Sequence, residues 1–390
     1  MQYNFDTIIP RNDTNSLKYD YATRRGLPDD VLPLWVADMD FASPPAVMDA
    51  LIEKSQHGIY GYSDNDHQYE DILTQWFSSQ YHWTIKPQWL IKTPGVVFAI
   101  NMAIHAYTKE NDSILIQEPV YYPFRDSIEN NHRNVVVNEL IYTKDHTYII
   151  DFEDFEKKIE QHKVKLFILS NPHNPVGRVF TKEELTRLGN ICLKHNVYVI
   201  ADEIHQDFIY PGHQHIVFSS IQDSFAQISI TCTSPSKTFN LAGLQLSNIF
   251  IPNPTLRKAF KKALACSGYS QPNIMGLISC QAAYANGHDW LNQLRIYLLE
   301  NLAFTREYLK THLPNVRLIE PEGTYLIWLD FSALGLSDTA IKEKMLYEAK
   351  VWLDDGLMFG QAGQGFQRIN IACPRTILEQ ALGQIATAFK

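Results

Sequence analysis

Val197-Tyr198-Val199-Ile200-Ala201-Asp202-Glu203-Ile204-His205 is an apolar, β-branched run that ends in an acid. Such a run has no polar face to offer to water, so it fits a strand covered on both sides. Four other short runs share its character: Ser113 to Gln117, Val164 to Ser170, Gln227 to Thr231 and Ser247 to Ile251. Longer stretches of helical pattern separate them. Thr181 followed by Glu184 makes a capping box that opens a helix to His195, and Pro254-Thr255 opens another through Ala265. The alternation predicts an α/β fold with a mostly parallel sheet between two helical layers.

After about Trp290 the pattern changes. A long helix (Trp290 to His312), a strand (Tyr325 to Asp330), a helix (Asp338 to Lys350), a strand (Gly365 to Ile371) and a last helix predict a smaller α+β domain. The first 40 or so residues are weakly periodic and rich in Asp, Asn, Pro and Arg, a segment expected to wrap over the small domain or a partner subunit. The expected division is therefore an N-terminal segment (1–45) that packs with the small domain, a large domain (46–289) and the small domain (290–390). A chain of 390 residues suits that division, since domains run at roughly 150 residues each.

Composition narrows the function. The net charge is −9 and the 34 Lys and Arg residues are scattered, which removes the basic stripe that nucleic acid requires. No stretch of roughly 20 apolar residues is present to span a bilayer, and Met1 to Asp6 has neither the basic nor the apolar part of a leader, so a cytoplasmic protein is expected. Five cysteines, widely spaced and never paired as Cys-x-x-Cys, point to free thiols rather than disulfides or zinc. His213 and His215 follow Pro211-Gly212 with no third ligand near, and are expected to be solvated; no metal is expected.

The chemistry concentrates at strand ends. Ser234-Pro235-Ser236-Lys237-Thr238-Phe239-Asn240 is a small polar turn after a buried strand, which puts Lys237 at the carboxyl edge of the sheet, where open α/β folds bind ligands. A loop lysine alone is most often a solvated charge. Asp202 emerges at the same edge, and an acid leaving a buried strand needs either a cationic partner or a capping role. Asn171-Pro172-His173-Asn174-Pro175-Val176-Gly177 is stiffened by two prolines, which fixes the Asn174 amide. Thr93-Pro94-Gly95-Val96-Val97 precedes a helix whose first free amides suit an anion, and Ser234 and Ser236 add hydroxyls. Gly360, Gly363 and Gly365 lack the strand–turn–helix context of a dinucleotide site.

Taken in order and spacing, Asn-Pro-x-Asn-Pro-x-Gly, Asp-x-x-His and Ser-x-Ser-Lys resemble the fold-type I pyridoxal 5′-phosphate (PLP) enzymes of the aspartate aminotransferase superfamily. Leu34-Trp35-Val36-Ala37-Asp38-Met39-Asp40-Phe41, Tyr60-Gly61-Tyr62, Pro119-Val120-Tyr121-Tyr122-Pro123-Phe124, Gly323-Thr324-Tyr325-Leu326 and Arg368-Ile369-Asn370-Ile371-Ala372-Cys373-Pro374 are similar to the cystathionine β-lyase (MalY/PatB) subfamily. The resemblance covers nearly the whole chain. It implies a seven-stranded sheet, and Lys237 holding PLP as a Schiff base. Asp202 would pair with the ring nitrogen, Asn174 would bind the ring hydroxyl oxygen and Tyr121 would stack on the ring. Gly95, Val96, Val97, Ser234 and Ser236 would hold the phosphate, with Tyr62 reaching it from the other subunit of a homodimer. Arg368 would take the substrate carboxylate by two-point contact, helped by Asn174 and a backbone group of Ala37. Trp35, Tyr122 and Tyr325 are expected around the substrate. Two positions depart from the wider superfamily: His205 replaces a tyrosine that would reach the ring oxygen, and Gln245 replaces an arginine that would reach the phosphate.

The implied activity is α,β-elimination from L-cystathionine or a related cysteine thioether, giving a thiol, pyruvate and ammonia, with Lys237 as the base at Cα. An aminotransferase would use every residue named, and a non-catalytic regulatory protein could keep the fold without the chemistry.

Overall fold

The structure is a computed structural model and describes residues 3–390. A seven-stranded sheet organises it: β1 (Leu90–Thr93), β2 (Ser113–Ile116), β3 (Asn134–Val137), β4 (Leu166–Ser170), β5 (Tyr198–Asp202), β6 (Ser229–Thr233) and β7 (Ser247–Phe250). Their spatial order is β1-β7-β6-β5-β4-β2-β3. The five strands from β6 to β3 are parallel, whereas β7 runs antiparallel to both its neighbours, β1 and β6.

Alternate side chains explain the layers. Ile114, Ile116, Leu166, Ile168, Ile200, Ile230 and Ile249 pack in one cluster with Ala99, Ile100 and Ala103 of the helix Val96–Tyr107 and Phe260 of the helix Pro254–Cys266. Leu115, Phe167, Leu169, Val199 and Ala201 pack in another with Leu185, Leu188 and Cys192 of the helix Lys182–Lys194. That helix opens with both bonds of the Thr181–Glu184 capping box.

Two details differ from the sequence reading. β1 and β3 are not among the expected strands; they are the two edges and only partly buried, β1 because Lys92 interrupts its apolar residues and β3 although Val135 to Val137 form a short β-branched run. The strand expected at Gln227 to Thr231 begins at Ser229 and ends at Thr233, because Asp223–Ile228 forms a short helix first. The strand therefore delivers Ser234 and Lys237 directly from its end.

The smaller α+β unit has a four-stranded antiparallel sheet of β8 (Arg317–Ile319), β9 (Leu326–Asp330), β10 (Asp354–Asp355) and β11 (Phe366–Asn370), in the order β8-β9-β11-β10. The helix expected over Asp338 to Lys350 is α-helical only to Glu343 and continues as a π-helical turn, Lys344–Glu348. Leu32–Pro33 pairs in parallel with Val351–Trp352, which ties the N-terminal segment to the C-terminal part of the chain. None of the described helices is long and apolar enough to cross a membrane.

Candidate active site

Parallel β5 and β6 set the site. In their ladder Asp202 lies opposite Cys232, so the acid and the turn after Thr233 leave adjacent strands at the same edge. Ser234 caps the short helix Pro235–Thr238 by accepting from the Ser236 amide, and this helix carries Lys237. Lys237, Asp202, Asn174, Tyr121, His205, Ala37, Ser234, Ser236, Gly95, Val96 and Val97 all line one cavity of about 160 Å³.

The Lys237 Nζ donates to the Ala37 carbonyl at 2.9 Å, and the Tyr325 hydroxyl donates to the same oxygen at 2.9 Å. Burial pulls the lysine down to about 8; Asp38 and Asp202 oppose this, and Arg368 adds to it. The amine thus reaches its neutral, nucleophilic form at a lower pH than an ordinary lysine.

Asp202 is pushed up to about 7, first by burial and then by Glu203. Its carboxylate accepts the Ile204 amide at 3.1 Å, and Lys237 offsets little of the burial. A buried acid this poorly compensated fits a ligand that brings its own positive charge.

At the opposite end, the helix Val96–Tyr107 has no side-chain cap, and a Cβ built on Gly95 meets nothing within 4 Å. Free amides and open space at a helix N-terminus suit a phosphate. Ser236 contributes a hydroxyl to the same wall. The Ser234 hydroxyl is already engaged, donating to the Leu246 carbonyl at 2.7 Å while accepting from the Ser236 amide. Gln245, in left-handed backbone with φ of 48°, occupies the wall where the superfamily has an arginine.

Asn174 Oδ1 accepts from Arg368 Nη1 at 2.9 Å, which leaves its amide nitrogen as the group able to donate into the cavity. The Tyr121 amide donates to the Asn174 backbone carbonyl at 3.0 Å, so the two residues are tied through their backbones. Burial pushes the Tyr121 phenol up and the His205 imidazole down, keeping both neutral. His205 packs edge-on to Tyr325, with ring centroids 5.9 Å apart.

Arg368 lies just behind this wall and is buried. Its Nη2 donates to the Trp35 carbonyl at 2.9 Å and pairs with Asp354, the residue directly opposite it in the β10–β11 ladder. Sequence reasoning missed Asp354. The available signal was an acid, two residues after Trp352, in a stretch too short to read as a strand. Of Trp35, the carbonyl faces Arg368, while the indole stacks on Trp352 at 4.2 Å outside the cavity. Tyr122 likewise lies outside it, near Phe359 at 6.3 Å between ring centroids. Tyr62 is 96% exposed and lines a second opening that shares Pro94 and Gln245 with the main cavity.

One expectation is overturned. His215 is not solvated; it is buried with Nε2 3.1 Å from Glu203, a buried acid that needs a partner. His213 is the partly exposed one. Glu156, Glu160 and His195 also cluster, with candidate ligand atoms within 4.8 Å of one another, but Lys194 already pairs with Glu156 at 2.7 Å.

A neutral lysine captures an aldehyde, the stranded acid asks for a protonated ring nitrogen, and the open amides suit a phosphate; PLP carries all three groups. On this sheet, that combination defines a fold-type I PLP enzyme. Comparison with known proteins agrees. The family model for aminotransferase class I and II matches residues 29–385. The chain is 43% identical to the cystathionine beta-lyase PatB of Bacillus subtilis over 385 residues, 99% of each chain. Its structure matches PLP-containing cystalysin from Treponema denticola with a TM-score of 0.96 at 36% identity, covering 100% of this chain and 99% of the other. It also matches a PLP-bound C-S lyase from Staphylococcus hominis with a TM-score of 0.93 at 34% identity, covering 100% and 98%. The chain belongs to the class I and II aminotransferase family, on the branch that includes PatB.

Proposed function

We propose that the protein is a PLP-dependent carbon–sulfur β-lyase that converts L-cystathionine or a related cysteine thioether, with water, to a thiol, pyruvate and ammonia. The convergence of Lys237, Asp202 and the uncapped helix at Gly95 on one cavity carries the cofactor assignment. The likeness to PatB and to the C-S lyases favours elimination over transamination.

When bound, PLP supplies an electron sink for the bond broken at the substrate Cα. Lys237 would anchor it and, with its amine free, would take the substrate Cα proton on Nζ. Asp202 would keep the ring nitrogen protonated. Asn174 would donate to the ring oxygen, and Tyr121 would cover the ring face. The amides of Gly95, Val96 and Val97, with the Ser236 hydroxyl, hold the phosphate; Ser234 shapes that turn. His205, kept neutral and held edge-on against Tyr325, would line the cofactor site. Arg368 receives the substrate carboxylate, oriented by Asp354 and Asn174, with Ala37 beside it. Trp35 supports Arg368 through its carbonyl, and Tyr122, next to Tyr121, lies at the rim of the substrate site.

The active unit in this reading is a homodimer in which Tyr62 reaches the partner's phosphate. Its exposure beside the opening shared with Gln245 supports that role, as do the exposed Ile59 and Tyr60 next to it. Five free thiols, four of them buried, accord with a reducing cytoplasm.

The deciding assay supplies L-cystathionine to purified holoenzyme with no keto acid. Stoichiometric pyruvate and free thiol are expected. Turnover that requires 2-oxoglutarate would replace the lyase reading with an aminotransferase, and a protein that takes up no PLP would remove both.

A further inference from the structure

Lys237 and Asp202 hold opposite ends of one rigid cofactor in the reading above, so the distance between their loops matters as much as their chemistry. Backbone pairing fixes that distance only as far as the Glu203 amide, which donates to the Cys232 carbonyl at 3.0 Å. Beyond it the two chains part. The next hydrogen bond between these loops is made by side chains: Thr238 Oγ1 donates to Asp207 Oδ2 at 2.6 Å.

Thr238 directly follows Lys237 and is fully buried; Asp207 lies five residues past Asp202 and is 1% exposed. The other oxygen, Asp207 Oδ1, accepts from the Tyr81 hydroxyl at the end of the helix His67–Tyr81. Arg295, on the helix His288–His312, approaches the carboxylate at 3.9 Å and donates from Nε to the Asp207 carbonyl at 2.6 Å. One carboxylate thus joins the loop after β5, the lysine turn and two helices.

A buried acid needs partners in any fold, and stability alone would account for Tyr81 and Arg295. It does not account for Thr238. At the end of a short helix a threonine hydroxyl can bond back to its own backbone. Here it turns across to the other loop instead. None of Asp207, Thr238, Tyr81 or Arg295 lines the cofactor cavity, so their effect on the site must pass through position rather than contact.

We infer that Asp207 is a positioning residue: through Thr238 it sets Lys237 at the spacing from Asp202 that the cofactor requires. This rests on the PLP reading of the site. It identifies a function for the second acid of the Asp202-to-Asp207 loop and for the hydroxyl next to the lysine, neither of which the chemistry at the cavity explains.

Holoenzymes carrying Thr238→Val, Thr238→Ser, Asp207→Asn and the double change Asp207→Asn/Thr238→Val test it. The measurements are cofactor dissociation, the visible band of the lysine-bound cofactor against pH, kcat and KM for the thioether, and melting of the cofactor-free protein. Thr238→Val and Asp207→Asn should each loosen the cofactor and lower kcat by about tenfold, the scale of one buried charge-assisted hydrogen bond. KM should stay within about twofold and the midpoint of the band should move. Thr238→Ser, which keeps the hydroxyl, should behave as the parent, and the double variant should be no worse than the worse single one, since both changes act on the same bond, Asp207→Asn by removing its charge and Thr238→Val by removing its donor. Parent-like cofactor binding, band and kcat in Thr238→Val would overturn the inference, as would single effects that multiply in the double variant. If Asp207→Asn does not fold, the valine–serine pair at 238 still decides. A parent protein without a lysine-bound band would instead remove the PLP reading itself.

Discussion

An ammonium buried beside Arg368 gives up its proton early, and Lys237 is accordingly pulled down to about 8 from the ordinary lysine value of 10.5. The sign has a consequence for cofactor capture. The neutral amine is the form that attacks an aldehyde, and its population grows as pH rises through the group's own pKa. Capture of PLP by cofactor-free protein should therefore quicken about eightfold from pH 6.5 to 7.5 and level off above pH 8 to 9. Rapid-mixing absorbance measurements from pH 6 to 10 would check this, with Lys237→Ala giving no band. A rate still climbing at pH 10 would mean that burial does not tune this lysine. Asp202 is shifted the opposite way by the same cause, because burial penalises whichever form is charged. Both residues could be singled out in the sequence by their place at strand ends. Asp354 could not, because what gives it meaning is the residue facing it across a two-residue strand.

Elements were legible in proportion to how completely they are buried. The central strands β4 and β5 have every or nearly every residue covered and read as apolar blocks, whereas the edges β1 and β3 are short and only partly buried and were missed. The helix Lys182–Lys194 was legible from its capping box, but its fit to the short helix Asp223–Ile228 was not. That fit is close: a Cβ on Gly189 would lie 2.2 Å from the Phe225 ring, which is itself buried and stacked on Phe218 with centroids 5.0 Å apart. The ring has no free side to move toward. Gly189→Ala should therefore lose about 1–3 kcal/mol of stability, despite alanine's better helix propensity. Denaturant unfolding would measure it, and a neutral or stabilising result would show that Phe225 can shift. Helix Asp223–Ile228 also explains the displaced start of β6, where a strand had been expected two residues earlier.

At the scale of the molecule, the proposed dimer makes each active site from two chains, Lys237 from one and Tyr62 from the other. Mixing Tyr62→Ala with Lys237→Ala and allowing subunits to exchange should then regenerate activity that neither variant has alone. A site built from Lys237 of the first and Tyr62 of the second is intact. With random pairing, half of the dimers are mixed and each holds one good site of two, so recovery should approach about a quarter of the parent activity. No recovery after demonstrated exchange would place Tyr62 outside the partner's site.

The sequence by itself determined the α/β class, the order of the chemical motifs and the edge of the sheet at which they meet. Those follow from local patterns: apolar blocks force strands, prolines and caps end them, and whatever comes next is delivered at a strand end. Only the tertiary structure decided which buried polar groups pair with one another. His215 against Glu203, Asp354 against Arg368 and Asp207 against Thr238 join residues 12, 14 and 31 positions apart in the chain. Their pairing depends on which side chains the folded core excludes from water together, a condition that local sequence does not contain.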